Sequence, residues 1–524
     1  MNKFRTCLSR RVVTISFVLL VAAFGAVFSA EADKVRPPFR AGQWYERDPQ
    51  ALKRQLAELF ALAKRTTKSG KVVGVIAPHA GFIFSGEAAA SAYRLLDPQR
   101  TKRVIILGTN HTDTSFRGLA LSAHRAFDMP LGEVAVDRGA SDSLSMKSPF
   151  VVDDRLHRFE HSIESQLPFL QTLLKDFTIV PVVVGHLSAE ERKSAAAALS
   201  GLLDGSTVLV ASSDFTHYGE AYDFVPFKED VPKRIKELDM GAIEKIKALE
   251  ARGFLDYCEE TSATICGREP IALLLESLPK ESEATLVEYY TSGDLTGDHE
   301  MSVSYASIVF SLPEPGQSSP PPKETSSPPP LIAAKEKALL LKIARDSLSD
   351  CVNGREPREP TSRESLTDDA LFVPGAAFVT LKERGLLRGC IGEIVAWRPL
   401  CESVRDNAAK AALADPRFKP VSPEDLPLLS VEISVLSPLE PVNSPSEIEI
   451  GRDGVLLVKG LRRAVFLPQV APEQGWNREE LLDNLSLKAG LPRGAWKDGS
   501  RIYRFTAEVF GEDDERTTSQ NAAE

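Results

Sequence analysis

The sequence predicts two folded units, an α/β domain with a wound, largely parallel sheet and, after it, an α+β domain. Three observations carry this expectation. Apolar, β-branched runs alternate with amphipathic helical stretches over residues 34–312, the pattern of strands buried on both faces by crossover helices. A segment dominated by Pro, Ser, Glu and Lys then intervenes, with Pro320-Pro321-Pro322 and Pro328-Pro329-Pro330; such a composition buries no core and favours extended chain. Beyond it one helical pattern gives way to short alternating strands and turns.

In order along the first unit, Val72 to Ala77, Val104 to Leu107, Ile179 to Val184 and Val208 to Ala211 read as buried parallel strands. From Ser188 to Leu203 the pattern is helical, with Ser188 as cap and Ala195, Ala198, Leu199 and Leu202 on the apolar face. Thr285 to Tyr290 and Val303 to Phe310 read as further strands at an edge. The second unit opens with a helix whose Leu340, Ile343, Ala344, Ser347 and Leu348 share a face. Ala377 to Leu381 and Leu387 to Ile394 flank Lys382-Glu383-Arg384-Gly385 as a hairpin, and Leu429 to Leu436 alternates like a half-buried strand. The expected partition is a signal segment at 1–32, domains at 34–312 and 332–511, a linker at 313–331 and a disordered acidic tail at 512–524.

The chain has 524 residues, 43% hydrophobic and 26% charged, with a formal net charge of -10. Its acidity gives no electrostatic reason to expect nucleic acid or an anionic membrane as partner; a small molecule fits better. Arg5, Arg10 and Arg11 precede an uncharged run from Val12 to Val27 and then Ala30-Glu31-Ala32, the layout of a secretory signal peptide, with a retained anchor as the competing reading. Export, to a periplasm in a Gram-negative source, is the expectation, with no stable membrane insertion once the signal is removed. Removal also takes Cys7, leaving Cys258, Cys266, Cys351, Cys390 and Cys401. Five cannot all pair internally, so at least one is a free thiol or a ligand.

Three polar residues follow strand-like runs directly: His79 in Pro78-His79-Ala80-Gly81, His111 in Gly108-Thr109-Asn110-His111, and Asp214 after Ser212-Ser213. In wound sheets ligands bind beyond the carboxyl ends of the strands, which is where such side chains converge. Any one alone reads more readily as a satisfied structural residue; the recurrence is what informs. Cys266 stands just ahead of the apolar helix Ile271 to Leu275, where the helix dipole and nearby Arg268 favour thiolate, the metal-binding form. A buried inert cysteine, or a disulfide to Cys258, competes with that reading. Asp214-Phe215-Thr216-His217 sets a carboxylate and an imidazole close together, as ligand, orienting group or general acid/base, or merely as a cap. His161 and Glu164, at i,i+3 on a helix running to about Leu174, form a weaker pair, and His124, His157, His186 and His299 have no supporting context.

Taken together, Pro78-His79-Ala80-Gly81, His111, His161-Ser162-Ile163-Glu164, Ser212 to His217, Thr264-Ile265-Cys266-Gly267-Arg268 and Ser302 to Ala306 resemble the Memo family, AmmeMemoRadiSam system protein B. Its fold is similar to class III extradiol dioxygenases, which use non-haem iron. By that resemblance His79, His111 and Cys266 match the metal-site residues, and Asp214 and His217 line the same pocket. Thr109 stands where the family usually has Pro. Arg388-Gly389-Cys390-Ile391-Gly392, with Phe378 to Leu381, Asp415 to Phe418 and Leu467 to Val470, resembles the AMMECR domain, AmmeMemoRadiSam system protein A, over about Lys335 to Phe510. The fusion implies a functional link to a radical SAM protein. No His follows His299, so Cys390 lacks an imidazole base within its own domain, and this domain reads as a binding or accessory module.

The resemblance implies a metal-dependent, dioxygenase-like oxidoreductase of unknown small-molecule substrate, with His217 as acid/base and Asp214 orienting it. Iron(II) leads on fold analogy, copper follows, and zinc comes behind both; two His and a Cys resemble an electron-transfer copper set, although no Met is placed as its axial ligand. The alternative is a non-catalytic copper or iron chaperone or sensor in the exported compartment.

Overall fold

The computed structural model describes residues 34–66, 70–313, 332–359 and 369–512. The expected signal segment 1–32, all but the first residue of the 313–331 linker and all but Glu512 of the 512–524 tail lie outside the described residues; Glu512 itself is ordered against Arg345 and the Val431 N–H. The chain divides into two compact units, Met1–Ser319 and Pro320–Glu524.

Besides a separate three-stranded sheet, the first unit is organised by a nine-stranded one. Its strands are β1 (Lys71–Ala77), β2 (Arg103–Thr109), β3 (Leu119–Leu121), β4 (Phe150–Val152), β5 (Thr178–Val184), β6 (Thr207–Ser212), β7 (His217–Tyr218), β8 (Glu283–Thr291) and β9 (Ser302–Leu312). They run in the order β7-β9-β1-β6-β2-β5-β3-β4, with β8 paired to β9. The centre, β1-β6-β2-β5, is parallel, as the four apolar runs predict. The two later strands extend it antiparallel beyond β1.

Helices cover both faces: α1 (Pro49–Leu62), α2 (Phe82–Tyr93), α3 (Leu167–Leu173), α4 (Ala189–Ser200), α5 (Val231–Lys247), α6 (Ala251–Thr261) and α7 (Arg268–Ser277). Alternate strand residues face opposite layers. Val73, Ile105, Leu107 and Leu209 pack with Ala195 and Leu199 of α4, Ile243 of α5 and Leu273 of α7. Val75, Val104, Ile106 and Val210 pack with Leu52 and Leu56 of α1, Ala89 of α2 and Phe169 of α3. Burial on both faces is why these strands read as continuous apolar runs. α4 starts where expected: the Ser188 hydroxyl accepts the Glu191 N–H while the Glu191 carboxylate accepts the Ser188 N–H, a reciprocal cap.

The second unit has a seven-stranded, wholly antiparallel sheet formed by β10 (Ala376–Glu383), β11 (Leu386–Gly392), β12 (Leu429–Leu436), β13 (Glu440–Val442), β14 (Asp453–Lys459), β15 (Arg462–Phe466) and β16 (Arg501–Gly511). Helices α8 (Ala334–Val352) and α9 (Leu400–Leu413) bury Leu340, Ala344, Leu348, Val404 and Ala408 against Val379, Leu381 and Ile433; α10 (Arg478–Lys488) covers Val455 and Leu457 with Leu481 and Leu485. The β10–β11 hairpin turns at Arg384 and Gly385, both at positive φ, 51° and 80°, the backbone a tight two-residue hairpin turn requires. Its second strand ends at Gly392, short of Ile394.

Candidate metal centre

The order β1-β6-β2 sets three carboxyl ends side by side, with Ala77 opposite Ser212 and Leu107 opposite Ala211. His79, Asp214 and His111 leave those ends on adjacent loops. Cys266 arrives from the α6–α7 connection, two residues before α7 begins. Two glycines permit the approach. A Cβ on Gly267 would lie 2.3 Å from the Ser213 Cβ, and one on Gly108 would lie 2.5 Å from the Ile163 Cγ1; only a bare backbone admits either neighbour so closely.

The result is a cluster in which ligand atoms of His79, His111 and Cys266 all lie within 4.8 Å of one another, a set that could hold a metal ion. The Cys266 Sγ is 3.3 Å from the His79 Nε2, and the two imidazole rings meet edge to face with centroids 5.1 Å apart. His79 is buried, while the His111 side chain is 31% exposed and forms the open lip.

Hydrogen-bond accounting fixes which imidazole nitrogen is free. The Ser212 Oγ gives its proton to the Ser162 carbonyl at 2.6 Å and accepts a Gln166 Nε2–H at 2.8 Å. Its contact with the His79 Nδ1 at 2.9 Å is therefore made by the Nδ1–H, leaving the His79 Nε2 lone pair toward the sulfur. The His111 Nδ1–H donates to the Glu160 Oε1 at 3.0 Å, turning Nε2 to the cluster. Glu160, 1% exposed, also accepts the His111, His161 and Ser162 backbone N–H groups. Although its oxygens group with His111 and His161, Oε1 already takes three donors and Oε2 the His111 N–H, which gives Glu160 an orienting role.

Electrostatics follow from this packing. Burial raises the Cys266 thiol, but His79 and His111 outweigh it and bring it down to about 6. Burial lowers His111, yet hydrogen bonds to Cys266 and Glu160 raise it to about 10. The Cys266 sulfur also accepts the Asp214 N–H at 3.2 Å. The thiolate character expected from Arg268 comes instead from these imidazoles, and Arg268 acts on Cys258 and Glu269. All five described cysteines are free thiols, so Cys258 and Cys266 form no bridge.

Asp214 is buried, and burial raises its carboxyl. It accepts the backbone N–H groups of His79, at 2.8 Å, and Ala80, and so holds the His79 loop; its link to His217 is electrostatic. The His217 Nδ1–H points to the carbonyls of Phe215 and Thr264 at 2.9 and 3.1 Å, which frees Nε2, and its ring meets Tyr222 edge to face. Thr264 also exchanges hydrogen bonds with the His217 backbone through its hydroxyl. A cavity of about 560 Å³ opens beside Cys266, lined among others by Asn110, His186, Thr264 and Glu269.

His161 and Glu164 do not act as a pair. Glu164 is fully buried and accepts from Arg36, Tyr45 and the backbone of Phe39 and Arg40. His161 instead turns to the cluster, stacking on His111 at 4.4 Å; burial and neighbouring His79 hold its imidazole down at about 2. His124 pairs with Asp154, His157 is buried on the Ala120 carbonyl, and His186 lies 4.0 Å from Glu269. Sequence reasoning missed Ser212, Gln166 and Glu160 as orienting groups. In the second unit the Cys390 Sγ accepts from the Thr380 hydroxyl at 3.3 Å, and the Cys390 N–H donates to Asp415. The Arg388 guanidinium is turned to the backbone carbonyls of Lys419 and Pro420.

Fold and cluster together define an α/β protein with a His, His, Cys donor set at the carboxyl end of a parallel sheet. The chain belongs to the Memo family: a family model described as Memo-like protein matches residues 36–309, and one described as AMMECR1 matches residues 341–510. A MEMO1 family protein of Methanopyrus kandleri is 35% identical over 290 residues, covering 52% of this chain and 98% of that relative. The memo-1 homolog of Caenorhabditis elegans is 31% identical over 304 residues, covering 55% and 86%. The crystal structure of an uncharacterized protein of Pyrococcus horikoshii is 37% identical over 33% of this chain and 89% of that one, with a TM-score of 0.32.

Proposed function

We propose that the Memo domain is a metal-dependent oxidoreductase, similar to extradiol dioxygenases, that holds iron(II) or copper through the His79 Nε2, the His111 Nε2 and the Cys266 Sγ. The observation that carries this reading is convergence: Ser212 and Glu160 each take an Nδ1–H, so the Nε2 atoms of both imidazoles are turned to the Cys266 sulfur. Without a metal His111 and Cys266 are held as imidazolium and thiolate; once a metal displaces the shared proton they and His79 form a ligand set, and imidazoles and thiolate suit iron and copper alike. When bound, the metal supplies redox chemistry and a position for oxygen or substrate. His217, with its Nε2 free, accepts or returns a proton, and Asp214 keeps the His79 loop in place.

The same reading takes residues 1–32 as an export signal, 34–312 and 332–511 as the two domains, and the AMMECR domain as an accessory module with a functional link to a radical SAM protein. No helix among the described residues is long and apolar enough to cross a membrane.

Metal analysis of anaerobically purified protein tests the site. Wild type is expected to carry iron or copper, and His79→Ala, His111→Ala and Cys266→Ser to lose it; metal surviving all three substitutions sinks the assignment. Oxygen consumption by the loaded protein across phenols and thiols then separates an oxidoreductase from a chaperone or sensor.

A further inference from the structure

His161 is 8% exposed, and among the described residues its ring nitrogens make no hydrogen bond. The Glu160 Oε1 lies 3.7 Å from its Nδ1, too far for one, and is already taken by the His111 Nδ1–H and by two backbone N–H groups. The three other histidines around the site, His79, His111 and His217, each spend Nδ1–H on a fixed acceptor. His161 therefore differs in kind: its ring is packed in place, yet its nitrogens are not committed to a fixed acceptor and stay open to a partner from outside the chain.

Its surroundings say where that partner sits. The ring stacks on His111 at 4.4 Å with a 21° tilt, meets His79 edge-on at 5.4 Å, and is backed on another side by Trp44 at 4.4 Å. It is thus held beside both imidazoles of the His79, His111 and Cys266 set; its own ligand-distance grouping is with His111 and Glu160, not with Cys266. The Ser162 N–H bond to Glu160 and the Ser165 N–H bond to the His161 carbonyl fix the backbone on either side, so the ring is presented rather than loose.

We infer that His161 is the hydrogen-bonding partner of the small polar molecule that completes the coordination of the metal held by His79, His111 and Cys266. The class of ligand follows: one atom donates to the metal, and a second, within a bond or two of the first, exchanges a hydrogen bond with the imidazole. This inference rests on the metal reading above and adds to it the residue that recognises the incoming ligand.

The test uses the full chain loaded with copper(II) and titrated with azide, which has a donor atom at one end and an acceptor at the other, read by its charge-transfer absorbance. His161→Phe and His161→Leu are expected to retain wild-type metal content while azide affinity falls about tenfold, the worth of one hydrogen bond in a dry site; His161→Asn recovers most of it. Unchanged azide affinity in whichever apolar variant folds overturns the inference alone. Loss of metal from both apolar variants, as from His79→Ala, overturns it by making His161 a ligand. A wild-type chain that takes up no metal overturns the underlying site assignment and this inference with it.

Discussion

At the scale of single residues, the centre depends on hydrogen bonds that remove choices. Ser212 has one proton and two lone pairs, and all are committed, to Ser162, Gln166 and His79. Ser212→Ala would free the His79 ring to rotate or change tautomer and leave the Ser162 carbonyl without its buried donor. Metal affinity is expected to fall about 10- to 100-fold, as for other orienting partners of metal-bound histidines, with about 1–3 kcal/mol lost from unfolding stability. A competitive chelator titration and a urea unfolding curve on the same sample check both numbers. Affinity within twofold of wild type would show that the His79 ring holds its orientation without the serine.

At the scale of elements, the α6–α7 connection must reach the strand ends, and Gly267 is what allows it. The Cβ of Gly267→Ala, 2.3 Å from that of Ser213, forces the loop carrying Cys266 outward. Overpacking of this kind costs about 1–3 kcal/mol, so the variant is expected to fold with a lowered melting temperature and to lose the thiolate from the metal site. A thiolate-to-metal absorption band present in the wild-type copper form and absent from the variant would register this. The elements themselves were largely legible: four buried parallel strands announced themselves as unbroken apolar runs, and the loops bearing His79, His111 and Asp214 followed from where those runs stop. What stayed hidden was long-range pairing. Glu160 precedes a helical turn and reads as an ordinary helix-start charge, yet its partner His111 is 49 residues away; Ser212 meets His79 across 133 residues. Glu164 showed the opposite failure, since the ligand-like spacing with His161 belongs to a carboxylate committed to Arg36 and the chain around Tyr45. A helical period says which residues share a face, not which distant donor claims them.

At the scale of the whole molecule, the first unit carries an acid-sensitive point apart from the donor cluster. His157 is buried, and burial holds its imidazole down to about 4. Its folded value lies below the ordinary one, so its contribution is fully present above about pH 6.5 and is lost as pH falls through about 4, because the unfolded chain binds the proton first. Asp154, held at about 2 by hydrogen bonds with His124 and Ser122 despite burial, adds a second loss at lower pH, below about 3.8. Urea midpoints of the first unit are expected to fall between about pH 6.5 and 4, with His157 contributing the equivalent of about 2–3 kcal/mol and His161, held lower still, adding to it. A midpoint independent of pH over that interval would contradict the buried, neutral assignment.

The four acceptances of Glu160, three of them from backbone N–H groups, have a consequence for the speed of loading. With the His111 loop and the start of the His161 segment tied to one carboxylate, and the His79 loop tied to Asp214, the three donors stand ready before any ion arrives. Uptake should then be paced by how quickly an incoming aqua ion sheds its water, so that labile copper(II) loads faster than sluggish nickel(II) whatever their final affinities.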